Sequence, residues 1–127
     1  MTAQLNHTIV AAHDKQASAS FMTDILGLPP PEPFGPFLVV HTGNGVSLDF
    51  RDVSADTAIA RQHYAFLVSE GEFDEIFARL RDHDVPYWAD PGGKRPQQVN
   101  TNDGGRGLYF PDPNGHWLEI LTRPYGS

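Results

Sequence analysis

The chain contains no cysteine, which removes disulfides, thiolate metal sites and cysteine nucleophiles together. Basic residues are also scarce: nine Lys and Arg stand against 16 Asp and Glu, for a formal charge of -7. They are scattered rather than gathered into a stripe, so a nucleic-acid surface is not expected. No apolar run is long enough to span a bilayer. The start, Met1-Thr-Ala-Gln-Leu-Asn6, has neither the basic residues nor the apolar stretch of a signal peptide. Asp103-Gly-Gly-Arg-Gly107 lacks the strand-to-helix context of a phosphate loop. With nucleic acid and membrane set aside, the expectation is a cytoplasmic protein acting on a small molecule. Its 127 residues suffice for one globular domain with one core, or for two small modules.

What is present is an internal repeat. Gly107 to Phe110 and Trp117 to Leu121 are apolar-rich runs joined through Asp112-Pro-Asn-Gly115, the punctuation of a hairpin. Phe37-Leu-Val-Val-His-Thr-Gly-Asn-Gly-Val-Ser-Leu-Asp-Phe50 aligns without a gap beneath Gly107-Leu-Tyr-Phe-Pro-Asp-Pro-Asn-Gly-His-Trp-Leu-Glu-Ile120. Asn44-Gly45 falls on Asn114-Gly115, Leu48 on Leu118 and Asp49 on Glu119. Each copy ends in a strand that carries a carboxylate among apolar neighbours.

Upstream of each hairpin lies a strand and then a helix. Leu5 to Ala11 reads as a strand with His7 on the face of Leu5 and Ile9. Asp14 caps a helix with Phe21, Met22, Ile25 and Leu26 as its apolar stripe, ending at Gly27. The proline-rich segment Pro29 to Pro36 is a stiff connector covering an edge or mouth of the sheet, since proline removes backbone donors. In the second half, His63 to Val68 is a strand with His63, Ala65 and Leu67 on one face. Ser69 and Glu72 form a capping box for a helix carrying Phe73, Ile76, Phe77 and Leu80. Val85 to Trp88 suggests a short strand. The polar loop from Ala89 to Gly105, with a brief strand near Gln97 to Asn100, is a candidate pocket wall. Asp52 to Ala60 is the boundary, giving repeated units over residues 5–51 and 61–123 within one domain.

Leu5-Asn-His-Thr-Ile-Val10, His63-Tyr-Ala-Phe-Leu-Val68 and Tyr109-Phe-Pro-Asp-Pro-Asn-Gly-His-Trp-Leu-Glu-Ile120 together resemble the vicinal oxygen chelate (VOC) superfamily. This is the glyoxalase, bleomycin-resistance and small extradiol-dioxygenase group. The resemblance covers almost the whole chain. It implies an α+β fold of two βαβββ modules forming a curved mixed sheet around a metal-containing cavity, in a homodimer. It also implies His7, His63 and Glu119 as metal ligands, a set shared by the dioxygenase and fosfomycin-resistance branches. In glyoxalase I a fourth, acidic ligand closes the first module, and Asp49 stands at that place. Tyr109 matches a tyrosine used near the iron in extradiol dioxygenases. The fosfomycin-resistance reading is weaker, because Ile9 replaces the family threonine and the chain ends soon after Arg123.

Two imidazoles and a carboxylate suit Fe(II) or Mn(II), with Ni(II) or Zn(II) as further options, and leave coordination positions for substrate oxygens. Ring cleavage by an extradiol-type dioxygenase leads, with Tyr109 as a hydrogen-bonding group. If Asp49 is a ligand or a proton acceptor, a glyoxalase-like lyase or isomerase follows instead. The rival class is a metal-free binder of a cationic drug, like bleomycin-resistance relatives. His116 reads as a turn or supporting residue, opposite in direction to Glu119. Trp88, Tyr87, Phe37 and Phe50 are pocket or core aromatics, and Lys94, Arg95 and Arg106 are loop cations or anion contacts.

Overall fold

Capping chemistry sets the first helix. In a computed structural model that describes residues 2–125, the Asp14 carboxylate accepts the amide of Ala17 at 3.1 Å. Gly27 takes a left-handed φ of 72° to end α1 (Lys15–Leu26). Its buried face is Ser18, Ala19, Met22, Thr23 and Ile25. The stripe expected from the sequence is thus turned: Phe21 and Leu26 are only half-buried, because small residues let the helix approach its sheet.

The chain divides into two compact units, one through Ala60 and one from Arg61. In the first, β1 (His7–Ala12) runs parallel to β4 (Ser47–Asp52). β3 (Phe37–His41) and β2 (Glu32–Phe34) follow antiparallel, in the order β1-β4-β3-β2. The proline-rich connector contributes β2 as the edge strand, where Pro33 costs no ladder bond to a further strand. Helix α1 lies against β1, β3 and β4. Val10, Ala12, Leu38, Val40, Leu48 and Phe50 are buried. Strand alternation turns His7, Ile9, Val39 and Asp49 to the opposite face.

The second unit repeats the plan. β5 (His63–Leu67) runs parallel to β7 (Trp117–Leu121), which pairs antiparallel with β6 (Gly107–Pro111). α2 (Glu70–Asp82) begins at the expected capping box: Ser69 Oγ accepts from Glu72 at 3.1 Å, and Glu72 Oε1 accepts from the Ser69 amide at 2.8 Å. Phe73, Ile76 and Leu80 are its buried residues. In place of two short strands, the segment before β6 makes isolated bridges, Trp88 with Tyr109 and Asn100 with Gly107. Asp90 and Asn100 order the loop between them. The Asp90 carboxylate accepts the amides of Lys94 and Arg95, and Asn100 Nδ2 donates to Ala89 O.

One expectation is corrected. The strands form two sheets, of four and three strands, rather than one curved sheet around a metal-containing cavity. Among the described residues no group of three or more His, Asp or Glu side chains is placed to hold a metal ion. The register puts His7, His41, Glu32 and Asp49 on the open face of the first unit, and His63 and Glu119 on that of the second. Among the described residues no helix is long and apolar enough to cross a membrane.

Candidate functional site

In the second unit, β5 and β7 place His63 opposite Trp117 and Ala65 opposite Glu119. His63 and Glu119 are therefore diagonal neighbours on one face, and His63 Nε2 lies 3.1 Å from Glu119 Oε1. His63 Nδ1 lies 2.9 Å from the Trp117 carbonyl, an acceptor only, so Nδ1 carries the proton and donates. Nε2 then offers a lone pair to a carboxylate that is 1% exposed. Two acceptors at this separation call for a proton or a cation between them.

Two tyrosines complete the network. Tyr125 donates its hydroxyl to Glu119 Oε2. Its oxygen, 2.9 Å from the Tyr109 hydroxyl, accepts in turn from Tyr109. Tyr109 is the direct cross-strand partner of Glu119, as the hairpin alignment expects. Burial raises the pKa of both phenols above the usual tyrosine value, and the nearby Glu119 charge adds to the rise. For Tyr109 the bond to Tyr125 works in the opposite direction. An aromatic wall flanks the network: Trp117 stacks on Tyr109 at 6.0 Å and meets Trp88 in a tilted contact at 5.3 Å, and the Arg61 guanidinium sits 4.7 Å above the Trp117 ring. The buried indole N–H of Trp117 has no acceptor among the described residues.

The same register in the first unit sets His7 opposite Ser47 and Ile9 opposite Asp49. His7 Nδ1 lies 2.8 Å from the Asn6 side-chain oxygen, again leaving Nε2 as the free lone pair. Asp49 is buried and accepts from Ser47 Oγ at 2.9 Å. Both line a cavity of about 420 Å³, with Ile9, Phe37 and Val39 as apolar wall and β2 along its side. That volume suits a small organic molecule.

The remaining candidates have other work. His116 is buried; its Nδ1 accepts the Gln62 amide at 3.0 Å, and its own amide donates to Asp112 Oδ1 at 2.8 Å, so it fastens the turn to the start of β5. Arg106 is committed to α2 through Glu70 at 2.7 Å and Asp74 at 2.9 Å. Phe50 is core, Tyr87 packs on Phe77 at 5.2 Å, and of the four aromatics proposed for a pocket only Phe37 lines the cavity. No residue of the 89–105 loop lines it either. Sequence reasoning missed Tyr125. It lies beyond the last strand, where no periodicity marks it, and an aromatic six residues past Glu119 was its only signal.

Over all or nearly all of its length the chain is similar to two solved structures named as oxidases. It is 65% identical to oxidase ChaP-H2, with a TM-score of 0.95 and coverage of 100% of this chain and 98% of that one. It is 60% identical to oxidase ChaP-H1, with a TM-score of 0.94 and coverage of 99% and 100%. It is also 31% identical to the glutathione transferase FosA of Serratia marcescens, over 94% of this chain and 81% of that protein. The family model described as the Glyoxalase/Bleomycin resistance protein/Dioxygenase superfamily matches residues 4–120. With this match in hand, and with a βαβββ unit followed by a βαββ unit, the chain belongs to the glyoxalase/bleomycin resistance protein/dioxygenase superfamily.

Proposed function

We propose that this protein is a metal-dependent enzyme that oxidises a small molecule with two adjacent oxygens, by extradiol-type cleavage of an aromatic diol, and that it works as a homodimer. The observation that carries this reading is the His63–Glu119 pair, two donor atoms 3.1 Å apart with the histidine tautomer already fixed by Trp117. The similarity to two oxidases at 60% and 65% identity supports oxidation over other chemistries of the superfamily. Leu5, beside the outer strand β1, and Leu67, on the outer strand β5, are exposed apolar residues of the kind that a second copy would cover.

The donor set fits a divalent ion of the Fe(II) or Mn(II) kind, which His63 and Glu119 would hold, with His7 proposed as the further imidazole ligand. When bound, such an ion lowers the cost of negative charge on adjacent substrate oxygens. The protein does the rest. The Trp117 carbonyl holds the His63 ring, and Tyr125 holds Glu119 through its second oxygen. Tyr109, protonated well above neutral pH, offers a hydrogen bond beside the carboxylate. Asp49 accepts a proton from a substrate hydroxyl in the apolar cavity. In ring cleavage both atoms of dioxygen enter the product, so no external reductant is required.

A glyoxalase-like lyase or isomerase is the second reading, and buried Asp49 as proton acceptor favours it. Elemental analysis of anaerobically purified protein, with His7→Ala as its control, separates the readings. Near-stoichiometric Fe or Mn lost in the variant, with dioxygen uptake on a catechol, supports ring cleavage. Ni or Zn without dioxygen uptake supports the second reading. No divalent metal after reconstitution overturns both and leaves a metal-free drug-binding protein.

A further inference from the structure

The cavity of the first unit is not a plain apolar hollow. Asp49, at 8% exposure, lines it and accepts from Ser47 Oγ through Oδ1 at 2.9 Å. A carboxylate has lone pairs beyond the one Ser47 uses, and these can accept from a hydroxyl that enters the cavity. A second carboxylate, Glu32, lines the cavity 3.3 Å from His41, and no Lys or Arg lines it. The wall that carries Glu32 is β2, flanked by Pro29, Pro30, Pro31 and Pro36 and containing Pro33. This backbone has little freedom to lose when a ligand arrives. On it Phe34 stands 72% exposed, opposite Phe37 in the strand register. A large aromatic held in water on a stiff edge, at the lining of a cavity, is placed to stack on a flat ring.

We propose that β2 is a selectivity wall: Phe34 stacks on a flat, uncharged ring system whose hydroxyl donates to Asp49, and Glu32 turns away ligands of the same shape that carry a negative charge. The choice of an aromatic diol as ligand rests on the function proposed above. The charge selection rests on the lining alone, since two carboxylates face the cavity beside His7 and His41 with no Lys or Arg, a lining that favours a neutral ligand over an anion.

The test is calorimetric titration of the purified full-length protein without oxygen, using a matched pair of probes: 2,3-dihydroxynaphthalene and 6,7-dihydroxynaphthalene-2-sulfonate. The neutral diol is expected to bind about tenfold tighter or more. Glu32→Gln is expected to close most of that gap by improving sulfonate binding alone, and Phe34→Ala to weaken both probes about fivefold. Both positions are exposed, so neither variant endangers folding. Equal affinities, tighter sulfonate binding, a gap untouched by Glu32→Gln, affinities untouched by Phe34→Ala, or no binding of either probe would each overturn the proposal. Binding is read without turnover. Absence of dioxygen uptake would therefore sink ring cleavage while leaving the wall intact, and loss of charge discrimination would do the reverse.

Discussion

His63 Nε2 stands 3.1 Å from Glu119 Oε1, and the lone-pair side of the imidazole is the side that faces the carboxylate. The pair is therefore least comfortable when nothing lies between its atoms. Glu119→Gln removes the charge, keeps the shape and supplies an amide N–H for Nε2. Without metal the variant is expected to melt at or above the wild-type temperature. With added Mn(II) at a hundredfold excess over its dissociation constant, wild type should gain about 2.7 kcal/mol of stability and the variant almost none. Thermal scans with and without the ion check this; equal gains in both proteins remove Glu119 from the metal site.

The two phenols predict an alkaline limit. Burial and the Glu119 charge raise the pKa of Tyr109 and Tyr125 in the folded state above the unfolded value of about 10. The folded state then holds its phenolic protons more tightly than the unfolded one. This contribution to stability is fully present below about pH 10 and is lost as pH rises toward the folded values. Near-ultraviolet titration should show fewer tyrosinates in native than in denatured protein around pH 11. Changing Tyr109 and Tyr125 to Phe should abolish most of that difference, and an unchanged difference would mean the network is not what protects the phenols.

Asp49→Asn keeps the Ser47 hydrogen bond and removes the proton acceptor. If Asp49 serves as a base, kcat is expected to fall by about 10²–10⁴-fold with metal content unchanged. Steady-state kinetics beside metal analysis decide the matter, since loss of metal in step with activity would make Asp49 a ligand instead.

Gly115 and Gly105 predict two different failures from the same substitution. Gly115 has a φ of +86° with open space around it, so Gly115→Ala should cost about 1–2 kcal/mol through backbone conformation alone. A Cβ on Gly105 would stand 2.5 Å from Thr122 Oγ1 and 2.8 Å from Arg123 Cγ, on the chain that leads to Tyr125. Gly105→Ala is therefore expected to displace Tyr125 and perturb the tyrosine titration, whereas Gly115→Ala lowers the melting temperature without changing that titration.

The hairpins and both helices were legible because each carries a local signal, whereas the parallel pairing of β1 with β4 and of β5 with β7 carries none. Asn-Gly turns, a capping aspartate, a capping box and alternation all act within a few residues. The His63–Glu119 contact was legible in kind, since repeat alignment fixed which acid closes each half. What failed did so for non-local reasons. The single curved sheet around a metal-containing cavity needed relations between strands that no residue pattern within one half encodes. The stripe on α1 was misplaced because hydrophobicity was allowed to outvote size, and Ser18 and Ala19 won the close approach. Trp88 looked like part of a strand but makes only isolated bridges, to Tyr109 and Pro96, because the Asp90 and Asn100 contacts take over the following backbone.

The repeat explains why one half holds space and the other holds polar chemistry. Ser47 and Val39 occupy the register positions that Trp117 and Tyr109 occupy in the second unit, and Glu32 the place of Trp88. Three aromatic rings fill the face in one copy; a hydroxyl, an isopropyl group and a carboxylate leave it hollow in the other. Duplication here amounts to a division of labour by side-chain volume. Val39→Tyr would accordingly restore one of the three rings and shrink the hollow.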